Sequence, residues 1–430
     1  MDEPRDDGRP EIPGSILRAA RPTSGTRVGR AAVPVKWVVL PYARRRRRRL
    51  AGTTVVCVTG SVGKTTTKHV LAGFLGASGG VATHRTGSNR ARGVVSTVRR
   101  GAGADYLVQE VGATGPGTLD ELLWTLEPQV AVVTAVATDH YSAFRRSVDN
   151  IAFEKAKAVA ALPPDGVAVL NADDPRVLAM APLCRGRVVT FGEAADADIR
   201  ITDVRGGYPD GVAFHADTPL GSFDVATRLL GRHQARAAAA ALATGVALGC
   251  DLETGLAALA SVDPVEHRLS VLDVPGGPTF ILDDRKASFA TLAPAFATLR
   301  DADTAGRRVV VVGQVSDARR DSRRLYRDVA REAREVADLV VLVGRWAHHG
   351  LRARESDTDH SVVACASMRE AAALLRGELR EGDLVLTKGS HDFDHLTRVA
   401  LQFVRPVACW TDSCRRRTDC RRCRLVERAR

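Results

Sequence analysis

The sequence of 430 residues has no long apolar run, no internal repeat and little lysine. No apolar run approaches the roughly 20 residues that a membrane-spanning helix needs, and acidic residues crowd the first eleven positions, unlike a signal peptide. Because 45% of the residues are apolar and 26% are charged, extensive disorder is also excluded. We therefore expect a cytoplasmic, globular protein.

Positive charge is concentrated at the two ends of the chain. The 62 basic residues exceed the 50 acidic ones and give a formal net charge of +12, yet only seven of the basic residues are lysines. Residues 1–50 carry 13 basic and 5 acidic groups, and residues 405–430 carry 9 and 3, so the remainder is slightly acidic. We therefore do not expect the folded middle to bind nucleic acid.

Changes in composition and in apolar patterning along the chain predict an α/β fold divided into several segments. Residues 1–50 are interpreted as a basic flexible arm. Alternating β-branched runs and helical segments over 51–262 predict a central domain with a parallel sheet, interrupted near 194–227 by a small β insert. A second alternation over 263–404 predicts a Rossmann-like α/β domain. Residues 405–430 form a short tail rich in cysteine and arginine.

A phosphate-binding loop follows the first predicted strand. Its glycines allow backbone N–H groups to approach phosphate oxygens at the start of a helix. The lysine is expected to contact the β- and γ-phosphates, and the threonine after it to ligate Mg²⁺. The predicted nucleotide-binding residues of this loop are Gly60, Ser61, Gly63, Lys64, Thr65 and Thr66.

The loop resembles that of the Mur ligase family, because Val58 stands where the general P-loop has glycine and the shorter form TGSVGKTT remains. This family comprises ATP-dependent ligases that join an amino acid or dipeptide to a carboxylate. The stretch from Glu154 through NADD is similar to its D-alanyl-D-alanine-adding branch. The resemblance covers most of residues 51–404.

The resemblance implies roles for five further residues of the central domain. Glu110 and His140 would contribute to Mg²⁺ sites and to catalysis together with Lys64. Lys155 would be carbamylated, which replaces a cation by a carboxylate-like group that suits hard Mg²⁺. Asn171 would lie near the nucleotide, and Asn89 would contact substrate.

The resemblance also assigns residues after position 230. His233, Arg268 and Asp284 would contact the nucleotide, although Ala237 replaces the asparagine expected at the adenine. Lys286 lies in a loop that departs from the family pattern, where it is either a substrate contact or a solvated side chain. Lys388 and Ser390 would lie near the incoming amine.

The implied activity is amide-bond formation through an acyl phosphate, with ATP and Mg²⁺ as cofactors. Because only about 50 residues precede the loop, we expect no full UDP-binding domain and not the standard UDP-muramyl-peptide reaction. The expected partners are an amine and a small-molecule, carrier-bound or lipid-linked carboxylate. Two alternatives remain: a P-loop regulatory or nucleic-acid-binding protein that uses its basic ends, and a folylpolyglutamate-synthase-like glutamyl ligase.

Two features of the sequence lie outside the resemblance to the Mur ligase family: an arginine run and a group of cysteines in the tail. The arginine run 44–49 is either a solvated part of the arm or a weak contact with an anionic surface. In the tail, four cysteines follow the spacing C-x4-C-x5-C-x2-C, which suits tetrahedral zinc or an iron–sulfur cluster, with unliganded or redox-active thiols as the third interpretation. These cysteines are Cys409, Cys414, Cys420 and Cys423.

Overall fold

The structure, a computed structural model, describes residues 33–84, 87–318, 321–391, 393–414, 416 and 418–427. The chain divides into two compact units. The first comprises the residues up to Arg200 together with Ala239–Gly255, and the second comprises Ile201–Ala238 and Leu256–Arg430. This division differs from the predicted continuous segment 51–262, because residues 201–238 and 256–262 belong to the second unit.

The first unit is built on parallel strands with the order β2-β3-β1-β4-β5-β6. Its strands are β1 (Thr54–Thr59), β2 (Val81–Thr83), β3 (Tyr106–Glu110), β4 (Val130–Val133), β5 (Val167–Asn171) and β6 (Arg187–Gly192). The β-branched run of β1 is almost wholly buried, as expected for a parallel sheet covered on both faces. Val58 pairs with Glu110 in register, which brings the ends of β1 and β3 to one edge of the sheet.

The first unit also contains helices. They are α1 (Val33–Arg47), α2 (Lys64–Gly76), α3 (Ala91–Arg100), α4 (Thr118–Leu126), α5 (Val148–Ala160) and α6 (Pro175–Leu178). Three elements run across the boundaries between the units: β7 (Ile199–Gly207), α7 (Ala235–Leu248) and α8 (Leu252–Leu259).

The second unit contains a hairpin and a six-stranded sheet with the order β10-β11-β15-β12-β13-β14. The hairpin consists of β8 (Gly211–Thr218) and β9 (Gly221–Ala226). The sheet consists of β10 (Ser270–Asp273), β11 (Thr279–Asp283), β12 (Arg308–Val312), β13 (Leu339–Val343), β14 (Val362–Cys365) and β15 (Leu384–Lys388). Only β10 runs antiparallel to its neighbour among these sheet strands of the described chain. The helices are α9 (Leu292–Arg300), α10 (Ser322–Arg334), α11 (Met368–Glu378) and α12 (Thr397–Leu401). The predicted α/β class is confirmed.

The prediction of a flexible arm that extends to residue 50 is wrong for residues 33–47, which form α1. This helix contains Pro41 and packs against α3 and α4. The arginine run helps to attach it: Arg44 and Arg48 each donate to the Glu127 carboxylate, at 2.6 and 2.7 Å, and Arg47 donates to the Leu126 carbonyl. These arginines are therefore engaged in intramolecular contacts, and residues 1–32 lie outside the described residues. Within the described part of the chain, none of the helices combines the length and apolarity needed to span a bilayer.

Candidate active site

The phosphate loop joins β1 to α2 with a backbone that only glycine adopts easily. Gly60 has φ 148° and Gly63 has φ 82°. A Cβ on Gly60 would overlap the Thr134 hydroxyl, which itself donates to the Thr59 and Val62 carbonyls. Strand β4, which ends just before Thr134, thus shapes the loop from the side. A conformation of this kind leaves backbone N–H groups at a helix N-terminus available to an anion.

Two lysines meet at one carbonyl oxygen of this loop. Lys64 Nζ donates to the Gly60 oxygen at 2.6 Å and to the Ser61 oxygen at 3.1 Å. Lys155, which is wholly buried on α5, donates to the same Gly60 oxygen at 2.8 Å. Lys64 Nζ also lies 3.4 Å from an oxygen of Asp139. Two lysine side chains on one carbonyl concentrate positive charge beside the loop, which favours the binding of a phosphate.

The predicted magnesium ligands Thr65 and Glu110 are in direct contact. The Thr65 hydroxyl donates to one Glu110 oxygen at 2.9 Å, and Asn89 donates to the other at 3.1 Å. Carboxylate and hydroxyl oxygens are both hard ligands of the kind that Mg²⁺ prefers, so the Thr65–Glu110 pair fits the ion. The ammonium form of Lys155 does not fit as a ligand, because it carries the same sign of charge.

His140 and Asn171 lie at the same sheet edge in different settings. His140 has φ 51°, its side chain is 38% exposed, and its Nε2 lies 3.8 Å from Asp139 Oδ1. Asn171, buried at the end of β5, donates to the Thr134 carbonyl at 2.8 Å. Asn171 therefore supports the segment that shapes the loop. Throughout the described residues, no group of three or more His, Cys, Asp or Glu side chains is arranged to hold a metal ion.

In the second unit, a buried ion pair occupies the ends of β11 and β15. Lys388 is 1% exposed and its Nζ pairs with Asp283, its neighbour in strand register. Burial raises the pKa of Asp283 and lowers that of Lys388. Arg268 lies near enough to influence the pKa of both groups, and its buried Nε has no hydrogen-bond partner in the described structure. A buried donor without a partner is costly, so a ligand oxygen is expected to occupy this position.

Asp284 takes part in a different network from the one predicted for it. One oxygen of its fully buried carboxylate contacts His267 Nδ1 at 2.7 Å, and the other accepts from the Thr397 N–H at 2.7 Å. His267 Nε2 also contacts Asp419 at 3.1 Å. Both oxygens of Asp284 are thus engaged within the protein, and its role as a nucleotide contact stays a prediction.

The other assigned residues of this unit have different partners or positions. Lys286 Nζ pairs with Asp317 at 3.0 Å, and its side chain is 35% exposed. The Ser390 N–H donates to the buried Asp394 carboxylate at 2.8 Å. His233 is exposed in the short 3-10 helix Arg232–Gln234.

Sequence reasoning missed three polar residues around the loop. Asp139, which contacts Lys64, stands beside His140 and could have been found in the same segment. Lys68 lies one helical turn after Lys64, is 2% exposed and donates to the His84 carbonyl. Glu154 is 2% exposed and accepts from the Gly117 and Leu119 N–H groups. Glu154 precedes Lys155 on α5, and its bonds fix that helix near the loop.

Taken together, the fold and the loop define an ATP-binding enzyme built from two α/β units. The sequence profile of the Mur ligase middle domain matches residues 58–245, and that of the Mur ligase glutamate ligase domain matches residues 267–391. The chain belongs to the Mur ligase family. It is an ATP-dependent carboxylate–amine ligase, and Mg²⁺ serves enzymes of this family together with ATP.

Similar proteins support the same family. The chain is 33% identical over 404 residues to the UDP-N-acetylmuramoyl-tripeptide–D-alanyl-D-alanine ligase of Mycobacterium tuberculosis, covering 89% of this chain and 78% of that protein. A crystal structure of MurF from Acinetobacter baumannii superposes with a TM-score of 0.76 at 25% identity, covering 89% of this chain and 83% of that one. Folylpolyglutamate synthase of Mycobacterium tuberculosis, with ADP bound, shares the fold at a TM-score of 0.66 and 18% identity, covering 86% and 94%.

Proposed function

We propose that the protein forms an amide bond between an amine and a substrate carboxylate that is first activated as an acyl phosphate. The observation that carries this proposal is the convergence of Lys64 and Lys155 on the Gly60 carbonyl, beside the Thr65–Glu110 pair. A loop of this form can hold the phosphates of ATP, and the adjacent hydroxyl and carboxylate can hold Mg²⁺.

The residues of the first unit would act mainly by positioning and by neutralising charge. The γ-phosphoryl group passes to the substrate carboxylate, and the amine then displaces inorganic phosphate from the acyl phosphate. Lys64 would stabilise the negative charge on the transferred phosphoryl group, and the loop N–H groups would bind the phosphates. Magnesium, when bound, would offset phosphate charge at Thr65 and Glu110.

We also propose that Lys155 works as its carbamate. The fully buried ammonium and that of Lys64 share one carbonyl oxygen, an arrangement that repulsion between like charges disfavours. Addition of CO₂ to the neutral amine, with loss of one proton, converts the position to an anion. Such an oxygen donor suits Mg²⁺, whereas an ammonium does not.

The second unit contains further candidate ligand contacts of its own. The partnerless Nε of Arg268 is suited to a phosphate oxygen, and the Lys388–Asp283 pair lies at the strand ends where ligands of open α/β sheets bind. Lys286, Ser390 and His233 stay as predicted contacts of substrate or nucleotide. Because the loop that contains Asp283 departs from the family pattern, we propose that the substrate carboxylate is not the UDP-muramyl peptide. We propose that the reaction takes place in the cytoplasm.

The experiment is an assay of phosphate release by the purified full-length protein against panels of amines and carboxylates, with mass spectrometry of the product. One arm pairs UDP-muramoyl tripeptide with D-alanyl-D-alanine, and another pairs folate with glutamate. We expect release only when an amine and a carboxylate are both present, and loss of release in Lys64→Ala but not in the control Lys157→Ala. Turnover stimulated by DNA or RNA without an amine would refute the proposal. Efficient use of the tripeptide would refute the part that concerns the acceptor.

A further inference from the structure

The four tail cysteines line a single cavity of about 350 Å³ in the second unit. Hydrogen bonds join the beginning and the end of the tail beside this cavity, because the N–H groups of Ala408 and Cys409 both donate to the Val426 carbonyl. Its apolar core is small and consists of Leu401, Cys420 and Val426, with Val407 and Cys423 packed against them. A segment with so few buried apolar groups needs an additional cross-link to hold one conformation.

A buried cation lies against this cavity. Arg398 on α12 is 1% exposed, and its guanidinium donates to the carbonyl oxygens of Cys409 at 2.8 Å, Thr411 at 2.8 Å and Asp394 at 2.7 Å. Its Nη1 also lies 3.9 Å from the Cys409 sulfur. Carbonyl oxygens satisfy its hydrogen bonds but bring no net negative charge. Burial raises the pKa of the nearby Asp394 carboxylate to about 7, which weakens it as a counter-charge, and thiolates at the cavity would add negative charge.

We propose that Cys409, Cys414, Cys420 and Cys423 bind one structural Zn²⁺ ion. Four cysteines suit the tetrahedral, thiolate-rich coordination of structural zinc, and the last two have the CxxC spacing typical of such sites. Four thiolates and one Zn²⁺ carry a net charge of −2, which Arg398 and Arg416 at the cavity offset. The four sulfurs are not arranged as a metal site in the described structure. Binding therefore requires them to turn towards a common centre, and each thiol that binds releases its proton to solvent.

Side chains of the tail contact Glu266 and His267, where the match to the Mur ligase glutamate ligase domain begins. Asp419, beside Cys420, contacts His267 Nε2 at 3.1 Å, and Arg421 contacts Glu266 at 3.2 Å. The cysteine loop is thus adjacent to Arg268, the residue with the partnerless buried Nε. Zinc in the tail would hold Asp419 and, through it, the position of this segment. The ion would have a structural role and would not take part in the chemistry.

The first test measures metal in the purified full-length protein. We expect about one zinc per chain by mass spectrometry, a fraction of that amount in Cys420→Ser and Cys423→Ser, and an unchanged amount in the control Cys184→Ser. Replacement of zinc by Co²⁺ should give the visible absorption of a tetrahedral cobalt thiolate. Zinc-free protein with all four tail thiols reactive would overturn the proposal, as would iron with inorganic sulfide.

Limited proteolysis of the wild-type protein keeps the test informative if a cysteine variant does not fold. Treatment with a zinc chelator should expose the tail arginines to trypsin and lower the melting temperature, and added Zn²⁺ should reverse both effects. Tail cleavage that is equally fast with and without chelator would contradict the proposal. None of these readouts depends on ligase activity, so they stay separate from the test of the proposed function.

Discussion

At the level of single residues, lysine and arginine have different tasks in this chain. Arginine is abundant, yet both ammonium groups at the phosphate loop belong to lysines, and a third lysine is buried beside Asp283. A lysine ammonium is a compact charge that shifts its pKa when buried and can react with CO₂, whereas a guanidinium stays charged. The scarcity of lysine therefore makes each buried lysine informative.

The substitution Lys155→Ala tests this distinction. We expect amide formation to fall by at least about 100-fold, because a group that positions charge in the transition state is lost, and added small carboxylates such as acetate should restore part of the rate. ATP binding should stay within a few-fold of wild type, because Lys64 remains. Rates with and without the added acid provide the measurement.

Lys157→Ala is the matched control, because Lys157 lies two residues further along α5, is 24% exposed and pairs with Asp120 and Glu154 rather than with the loop. Its removal should leave the rate nearly unchanged. Near-wild-type activity of Lys155→Ala, or equal loss in both variants, would contradict the carbamate assignment.

At the level of elements, the loop between β1 and α2 is set by contact with the chain after β4. In Gly60→Ala, the new Cβ would overlap the Thr134 hydroxyl, and φ 148° is unfavourable for any side chain. We expect a loss of about 2–4 kcal/mol in unfolding free energy and loss of ATP binding. Denaturant unfolding and nucleotide titration measure the two effects. Gly76→Ala is the control, because nothing lies within 4 Å of its added Cβ; a similar loss there would argue against a local clash.

The attachment of α1 gives a second prediction for an element. Glu127→Gln removes the charge that Arg44 and Arg48 share. Because these groups are partly exposed, we expect a modest loss of about 0.5–1 kcal/mol that disappears at high salt. Trypsin should cleave faster within the arginine run of the variant. Equal cleavage rates for variant and wild type at low salt would show that Glu127 does not hold the helix.

At the level of the whole molecule, contacts between distant residues limited what the sequence could predict. The phosphate loop was predictable because its residues are consecutive. By contrast, Lys155 reaches Gly60 across 95 positions, and only the family resemblance assigned Lys155 to the same magnesium and nucleotide site as the loop. The attachment of α1 depends on Glu127, 83 positions from Arg44, and a contact over that distance leaves no local pattern that would separate a packed helix from an arm. His267 contacts Asp419 across 152 positions, and no local pattern marks that pair.

That long-range pair predicts a pH dependence for the second unit. Burial lowers the pKa of His267, but the charge of Asp284 and the hydrogen bonds with Asp284 and Asp419 outweigh it and raise the pKa to about 9. Around the ring, the described residues also place Arg421, with Nη2 3.3 Å from Nε2, the Thr397 hydroxyl, 3.2 Å from Nδ1, and His391, with ring centroids 5.1 Å apart. The folded state therefore binds the histidine proton more tightly than the unfolded state does.

The stabilisation from His267 should be complete below about pH 6.5, the ordinary histidine value, and should be lost as the pH rises towards 9. We expect the unfolding free energy of the second unit to fall by up to ~3 kcal/mol across this window. Denaturant unfolding with saturating zinc, followed by the fluorescence of Trp346 or Trp410, separates this effect from metal loss. His267→Gln keeps hydrogen-bonding capacity without the titration, so its profile should be flat between these pH values. A wild-type profile that is equally flat would contradict this prediction. It would mean that the buried histidine is neutral and that its contacts with Asp284 and Asp419 do not keep the ring protonated.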